Sequence, residues 1–268
     1  MPMFKIIKYS FVLIVLVILL GVAMYAKSIV LQKKSLNAPK VTTTIDKKAT
    51  TDGSSLPVSV VTFKEEATST PSISYEYPQF PTLPKEFNDA IASSTLSRVV
   101  AFKAELADNL AYERENAALY GNKADVPQNI YVFISSWQSV ELTSKYVSII
   151  LRYDLYTGGI GGNQDIQTFN YDIASKKLLT LTDIFGQKPN YLEIIASTTR
   201  EILRQSLVAE VPEYEPDQML AEGTESNLDN FSHFTMSGDA VTFYFPKYAV
   251  AAGAAGERIA VVQRSITK

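Results

Sequence analysis

The chain has 268 residues, a formal net charge of −3 and no cysteine. Disulfides and thiolate metal sites are therefore excluded, and no basic surface speaks for nucleic acid. A single histidine, His233, leaves little from which to build a Ser-His-Asp triad or a zinc site.

Tyr9 to Ala26 is eighteen residues without a charge, preceded by Lys5 and Lys8. That is about the minimum that spans a ~30 Å hydrocarbon core as a helix. It reads as an uncleaved anchor or as a signal peptide cut near Gly21-Val22-Ala23. The anchor is preferred, because the apolar run exceeds a usual signal core. Ser35 to Ser72 is rich in Thr, Ser, Lys, Ala and Pro. It holds too little apolar surface to fold and reads as a tether. About 200 residues then remain, one compact domain or two closely packed ones.

Val58 to Phe63 and Ser72 to Tyr77 have strand character, the second ended by Pro78, Pro81 and Pro84. Leu83 to Leu119 is the main helix. Leu83, Phe87, Ile91, Val99, Phe102, Leu106 and Leu110 recur at three- and four-residue steps, with one larger gap, and most charges fall off that stripe. Ile130 to Leu142 is a strand that holds the single Trp137 and pairs with Tyr146 to Tyr156.

In the latter strand Val147, Ile149, Leu151, Tyr153 and Leu155 form an apolar face. Tyr146, Ser148, Ile150, Arg152 and Asp154 form a mixed one. Gly158, Gly159, Gly161 and Gly162 then break the pattern. A phosphate-binding loop would need G-x-x-x-x-G-K-[ST] and a following helix; neither is present, so the run reads as a hairpin turn.

Alternation resumes at Gln167, Phe169, Tyr171 and Ile173. Asp172 to Lys177 is a turn, Leu178 to Leu181 a short strand, and Thr182-Asp183 a cap or turn. Pro189 to Val208 is a second, shorter helix. Glu210 to Asn227 is an acidic surface excursion without the calcium-loop spacing D-x-[DN]-x-[DN]-G. Phe231 to Thr235, Ala240 to Pro246 and Arg258 to Ser265 close the chain as strands, with a turn at Gly238-Asp239.

Chemistry is sparse. His233 lacks any G-x-S-x-G or H-E-x-x-H context. Asp154, Asp165, Asp172, Asp183 and Glu257 are the carboxylates from which a glycosidase pair would be drawn, although Asp172 and Asp183 sit where aspartates start turns. Tyr146, Tyr153, Tyr156, Tyr171, Tyr244 and Tyr248 offer large amphipathic surfaces for a glycan or a protein. Gly253-Ala254-Ala255-Gly256 marks a close backbone approach.

Several pieces stand in a telling order: Tyr77-Pro78, the long helix, Y-D-x-Y-T-G-G from Tyr153, F-N-Y-D then L-T-L-T-D-I-F ending at Phe185, a helix, and F-Y-F-P-K-Y-A-V-x-x-G-A-A-G from Phe243. This order resembles the extracytoplasmic region of RsiV-type, lysozyme-sensing anti-sigma factors, which also occurs in the N-terminal part of some peptidoglycan deacetylases. That region pairs two domains of unknown function, DUF4163 and DUF3298. The resemblance runs from about Val58 to the C-terminus. Ile160-Gly161 stand where the family places a small residue and a histidine. Only about eight residues precede the apolar span, too few for a sigma-binding segment, and no deacetylase domain is expected after the module.

The expected fold is α+β: an antiparallel sheet with one long and one shorter helix packed on it, preceded by a single N-terminal transmembrane helix. The expected segments are 1–8 cytoplasmic tail, 9–27 anchor, 28–57 disordered linker, 58–160 first subdomain and 161–268 second subdomain. The resemblance and the tether place the bulk of the chain outside the membrane. The flanking charges do not, since Lys27, Lys33 and Lys34 outnumber Lys5 and Lys8. The expected role is binding or sensing of a lysozyme-like protein or of cell-wall glycan, with no catalysis, cofactor or metal. Tyr156, Gly158, Gly159, Asn163, Tyr248 and Gly253 are the expected ligand-binding residues. A carboxylate-based hydrolase of wall polymers and a structural envelope protein are the rivals.

Overall fold

Alternating β-branched and aromatic residues set the strands. β1 (Thr42–Thr44), β2 (Ser59–Lys64), β3 (Ser72–Gln79), β4 (Val132–Leu142), β5 (Tyr146–Tyr156), β6 (Asn163–Asp172) and β7 (Lys177–Leu178) lie in that order in one seven-stranded sheet. β8 (Phe234–Ser237), β9 (Ala240–Phe245) and β10 (Arg258–Gln263) form a second sheet, ordered β10-β9-β8. The structure is a computed structural model that describes residues 42–44, 56–65, 71–119, 131–157, 162–186, 188–210 and 218–267. The expected anchor at 9–27, most of the expected linker, Gly158 and Gly159 lie outside the described residues. Among the described residues no helix is long and apolar enough to cross a membrane.

The chain is α+β, with three differences from the expected plan. First, β3 and β4 are parallel, because helix α1 (Lys85–Leu119) carries the chain back between them. Pro78 does not end β3. Ser135 Oγ donates to Glu76 O on the β4 side, so Pro78 also faces that side, where the ladder has already stopped at Tyr75 and no N–H is needed. Thr42–Thr44, within the expected linker, runs antiparallel to β2 with Thr42 opposite Thr62.

Second, the two long helices pack on different sheets. α1 buries Phe87, Ile91, Val99, Phe102 and Leu106 on one face of the large sheet. There the Phe87 ring stacks 4.4 Å from Tyr171, and Phe102 sits 5.7 Å from Phe133. Further along, α2 (Leu181–Phe185), α3 (Tyr191–Glu210) and α4 (Gln218–Gly223) follow. α3 buries Ile195, Leu203 and its neighbours in a second core, with Val241, Phe243, Ala260 and Val262 of the small sheet.

Third, the large sheet is covered on both faces. Ser148 and Ile150, on the face expected to be mixed, are 0% and 1% exposed because the small sheet lies against them. β8 meets β5 and β6 edge-on. Phe234 N–H donates to Thr168 Oγ1 (3.1 Å), Asn170 Nδ2 to Phe234 O (2.7 Å), Met236 N–H to Ser148 Oγ (2.9 Å), and Ser148 Oγ to Asn170 Oδ1 (2.7 Å). Three polar side chains thus take up main-chain groups that a partner strand would otherwise satisfy. Ile150, Ile166 and Tyr244 fill the angle beside this junction.

Local departures have local causes. Only Lys177–Leu178 is strand. Thr180 then caps α2 in a reciprocal box with Asp183, so Leu181 begins a helix. The Lys177 ammonium and the Thr180 donors hold the Asp183 carboxyl down to about 2. The acidic excursion is not wholly on the surface. Residues 211–217 lie outside the described residues, but α4 tucks Leu220 into the second core, and Thr224 is buried with Arg200 Nε donating to its hydroxyl at 2.7 Å. Phe231 precedes its strand; it packs edge-on at 5.2 Å from Phe243.

Candidate functional site

The end of β5, the start of β6 and the loop between β9 and β10 converge on a groove of about 300 Å³. Asp154, Leu155 and Tyr156 bring one wall; Gly162, Asn163 and Gln164 bring the start of β6. Lys247 follows β9, and Gly256-Glu257 lead into β10. Lys247 Nζ lies 3.4 Å from Gly162 O, tying the loop after β9 to the hairpin turn. Its ammonium also sits 5.1 Å from the Tyr248 ring centroid.

Tyr156 and Asn163 therefore line one concavity. Tyr248 and Gly253 do not line it; they touch each other beside it. Tyr248 has φ +72° and is 56% exposed, and a Cβ on Gly253 would come within 2.2 Å of its ring. Glycine at 253 is what lets the ring lie over that turn. Gln164 and Lys247 escaped sequence reasoning. Lys247 adjoins Tyr248, but only the packing of the loop after β9 against Gly162 brings it to the groove.

The carboxylates have structural partners. Glu257 accepts both Nε and Nη2 of Arg152 at 3.0 Å, and Arg152 Nη1 also reaches Gln138. Asp154 accepts from Gln164 Nε2 at 3.1 Å. Asp165 takes Arg98 Nε at 2.6 Å and the Ile166 N–H. Asp172 accepts the N–H groups of Ala174 and Ser175, closing the turn. Asp154 and Glu257 share the groove, and Glu257 is clamped bidentately by the Arg152 guanidinium. Among the described residues no three of His, Cys, Asp and Glu come together to hold a metal.

His233 precedes β8 and does not line the groove. Its Nδ1 is buried without a hydrogen-bond partner among the described residues. Burial pushes its pKa below the ordinary value, and Arg98 adds to that while Asp165 opposes it. The neutral ring is thus the form the fold prefers. Its contribution is present above the unfolded pKa and is lost as pH falls through the lower folded value. On going from about pH 8 to about pH 5, wild type should lose more Tm than His233→Gln. Equal losses would contradict this reading.

Over residues 64–164 the chain matches the family model described as Deacetylase PdaC, and over 182–265 the one described as a protein of unknown function (DUF3298). It is 31% identical over 134 residues to the peptidoglycan-N-acetylmuramic acid deacetylase PdaC of Bacillus subtilis strain 168. That match covers 49% of this chain and 27% of the relative, so the chain spans about a quarter of the relative's length. A solved DUF3298 family protein from Pseudomonas aeruginosa PAO1 has a TM-score of 0.50 at 17% identity, over 79% of this chain and 92% of that one. Another, from Bacteroides fragilis NCTC 9343, has a TM-score of 0.52 at 17% identity, over 86% and 93%. Identities that low speak for the fold alone. The chain is therefore similar to the PdaC model over residues 64–164 and to the DUF3298 model over residues 182–265, on an α+β fold like that of solved DUF3298 proteins.

Proposed function

We propose that this protein is a membrane-anchored, extracytoplasmic binding or sensing module, and that its ligand is a lysozyme-like protein or cell-wall glycan. The observation that carries this reading is the groove. An aromatic ring, two amides and an ammonium converge there, while its carboxylates are bonded to neighbouring side chains. Such a set suits recognition of hydroxyl and amide groups.

Three further points support the reading. The relative named as a peptidoglycan deacetylase makes wall polymer a natural ligand class. The order of motifs resembles the sensing region of RsiV-type anti-sigma factors, and that likeness favours a protein ligand. The uncharged run Tyr9 to Ala26 supplies the anchor and the Thr/Ser-rich stretch the tether.

The test is calorimetric titration of the protein with lysozyme and, separately, with soluble peptidoglycan fragments. Saturable binding without new glycan ends is the expected result. New glycan ends would favour the hydrolase and turn attention to Asp154 and Glu257. No heat with either ligand would sink the proposed ligand class.

A further inference from the structure

A strand edge with free N–H and C=O groups pairs with other strands unless something blocks it. Two edges here are blocked. Along β8, Thr168, Asn170 and Ser148 take the groups of Phe234 and Met236. Along β6, where short β7 no longer reaches, the Asp165 carboxylate takes the Ile166 N–H at 2.8 Å.

β10 has no such device. Tyr244 N–H goes to His233 O at 2.9 Å, so Tyr244 faces β8. Its neighbours Phe243 and Phe245 then face β10, opposite Ala260 and Arg258. Ile259, Val261 and Gln263 therefore turn their main-chain groups away from the sheet. Among the described residues nothing takes them. Ile259 is 46% and Val261 50% exposed, on the same face of the strand. From Ile259 to Gln263 there is no charge, proline or bulge.

We infer that β10 pairs antiparallel with β10 of a second copy of this chain, about a two-fold axis at Ala260, joining the two small sheets into one. The inference goes beyond the proposed ligand groove and does not depend on it. Apolar matching along the strand selects the partner and the register. An axis at Val261 would set exposed Ile259 against Gln263 of the second copy, an apolar side chain against an amide. An axis at Ala260 sets Ile259 against Val261 on both sides of the axis. Each exposed apolar residue then meets an apolar residue, and each such pair exchanges both of its main-chain bonds. The strand is complementary to itself in hydrophobicity.

Sedimentation of the full chain from about 1 to 100 μM should show a reversible dimer. Val261→Pro removes an N–H that faces outward and leaves the ladder to β9 whole, so the fold should survive. Its dimer should dissociate at least about tenfold more readily, since two donors are lost per dimer. Val261→Lys should act alike by charge, with an unchanged thermal melt as the control. The cysteine-free chain also permits a register test. A mixture of Ile259→Cys and Val261→Cys proteins should cross-link on mild oxidation, and neither should alone. A wild type that stays monomeric throughout, or a dimer indifferent to both substitutions, would overturn the inference. Efficient cross-linking of Val261→Cys alone would overturn the register.

Discussion

Phe133→Ala should lower Tm by roughly 10 °C. Phe133 is fully buried near the start of β4, between the Phe102 ring on α1 (5.7 Å) and the Tyr153 ring on β5 (6.2 Å). Its removal leaves a cavity beneath the long helix that neither neighbour can close. Tyr153 is held by its hydroxyl to Ser94 (3.0 Å) and Thr95 (3.3 Å), and Phe102 is locked into the helix stripe. Phenylalanine-to-alanine changes in such places cost about 3–5 kcal/mol. In a domain of about 200 residues each kcal/mol moves Tm by roughly 2–4 °C. A shift under about 3 °C, measured by circular dichroism, would show that α1 is not docked on the large sheet as described.

Asn170→Ala should cost nearly as much, about 3 kcal/mol, although it removes only an amide. The side chain is 3% exposed, donates to Phe234 O and accepts from Ser148. Truncation leaves a buried carbonyl unpaired and frees the hydroxyl that holds the Met236 N–H. Hydrogen exchange at Phe234 and Met236 should quicken before exchange in β5 does, because the small sheet detaches first. Were Asn170 a solvent-facing strand residue, the change would stay within about 0.5 kcal/mol.

That contrast explains what sequence reading could reach. The stripe of Phe87, Ile91, Val99, Phe102 and Leu106 was legible, because helical periodicity follows directly from burial on one side. The apolar face of β5 was legible for the same reason at period two. Ser148, Thr168 and Asn170 were not legible as buried, since polar residues alternating with apolar ones ordinarily meet water. Here they meet the main chain of β8 instead, a contact between residues up to 88 positions apart. The second sheet was hidden with them: its short strands could be found singly, but nothing in their spacing says that they leave the first sheet.

The groove divides in the same way. Tyr156 and Asn163 flank the glycine run, so a turn reading brings them near each other. Lys247 and Glu257 arrive from the loop between β9 and β10, through contacts with Gly162 O and Arg152 that span 85 and 105 positions. The bidentate clamp of Arg152 on Glu257 was also invisible, because the two residues lie 105 positions apart.

The most direct test of the ligand groove compares wild type with the Tyr156→Ala/Lys247→Ala protein in titrations against lysozyme and soluble peptidoglycan fragments. Both positions line the groove, and neither belongs to the buried cores. The folded double variant should bind at least about tenfold more weakly, as expected when an aromatic contact and a charged contact are lost together. Undiminished affinity in a variant with a wild-type melt would place the ligand elsewhere and contradict the account.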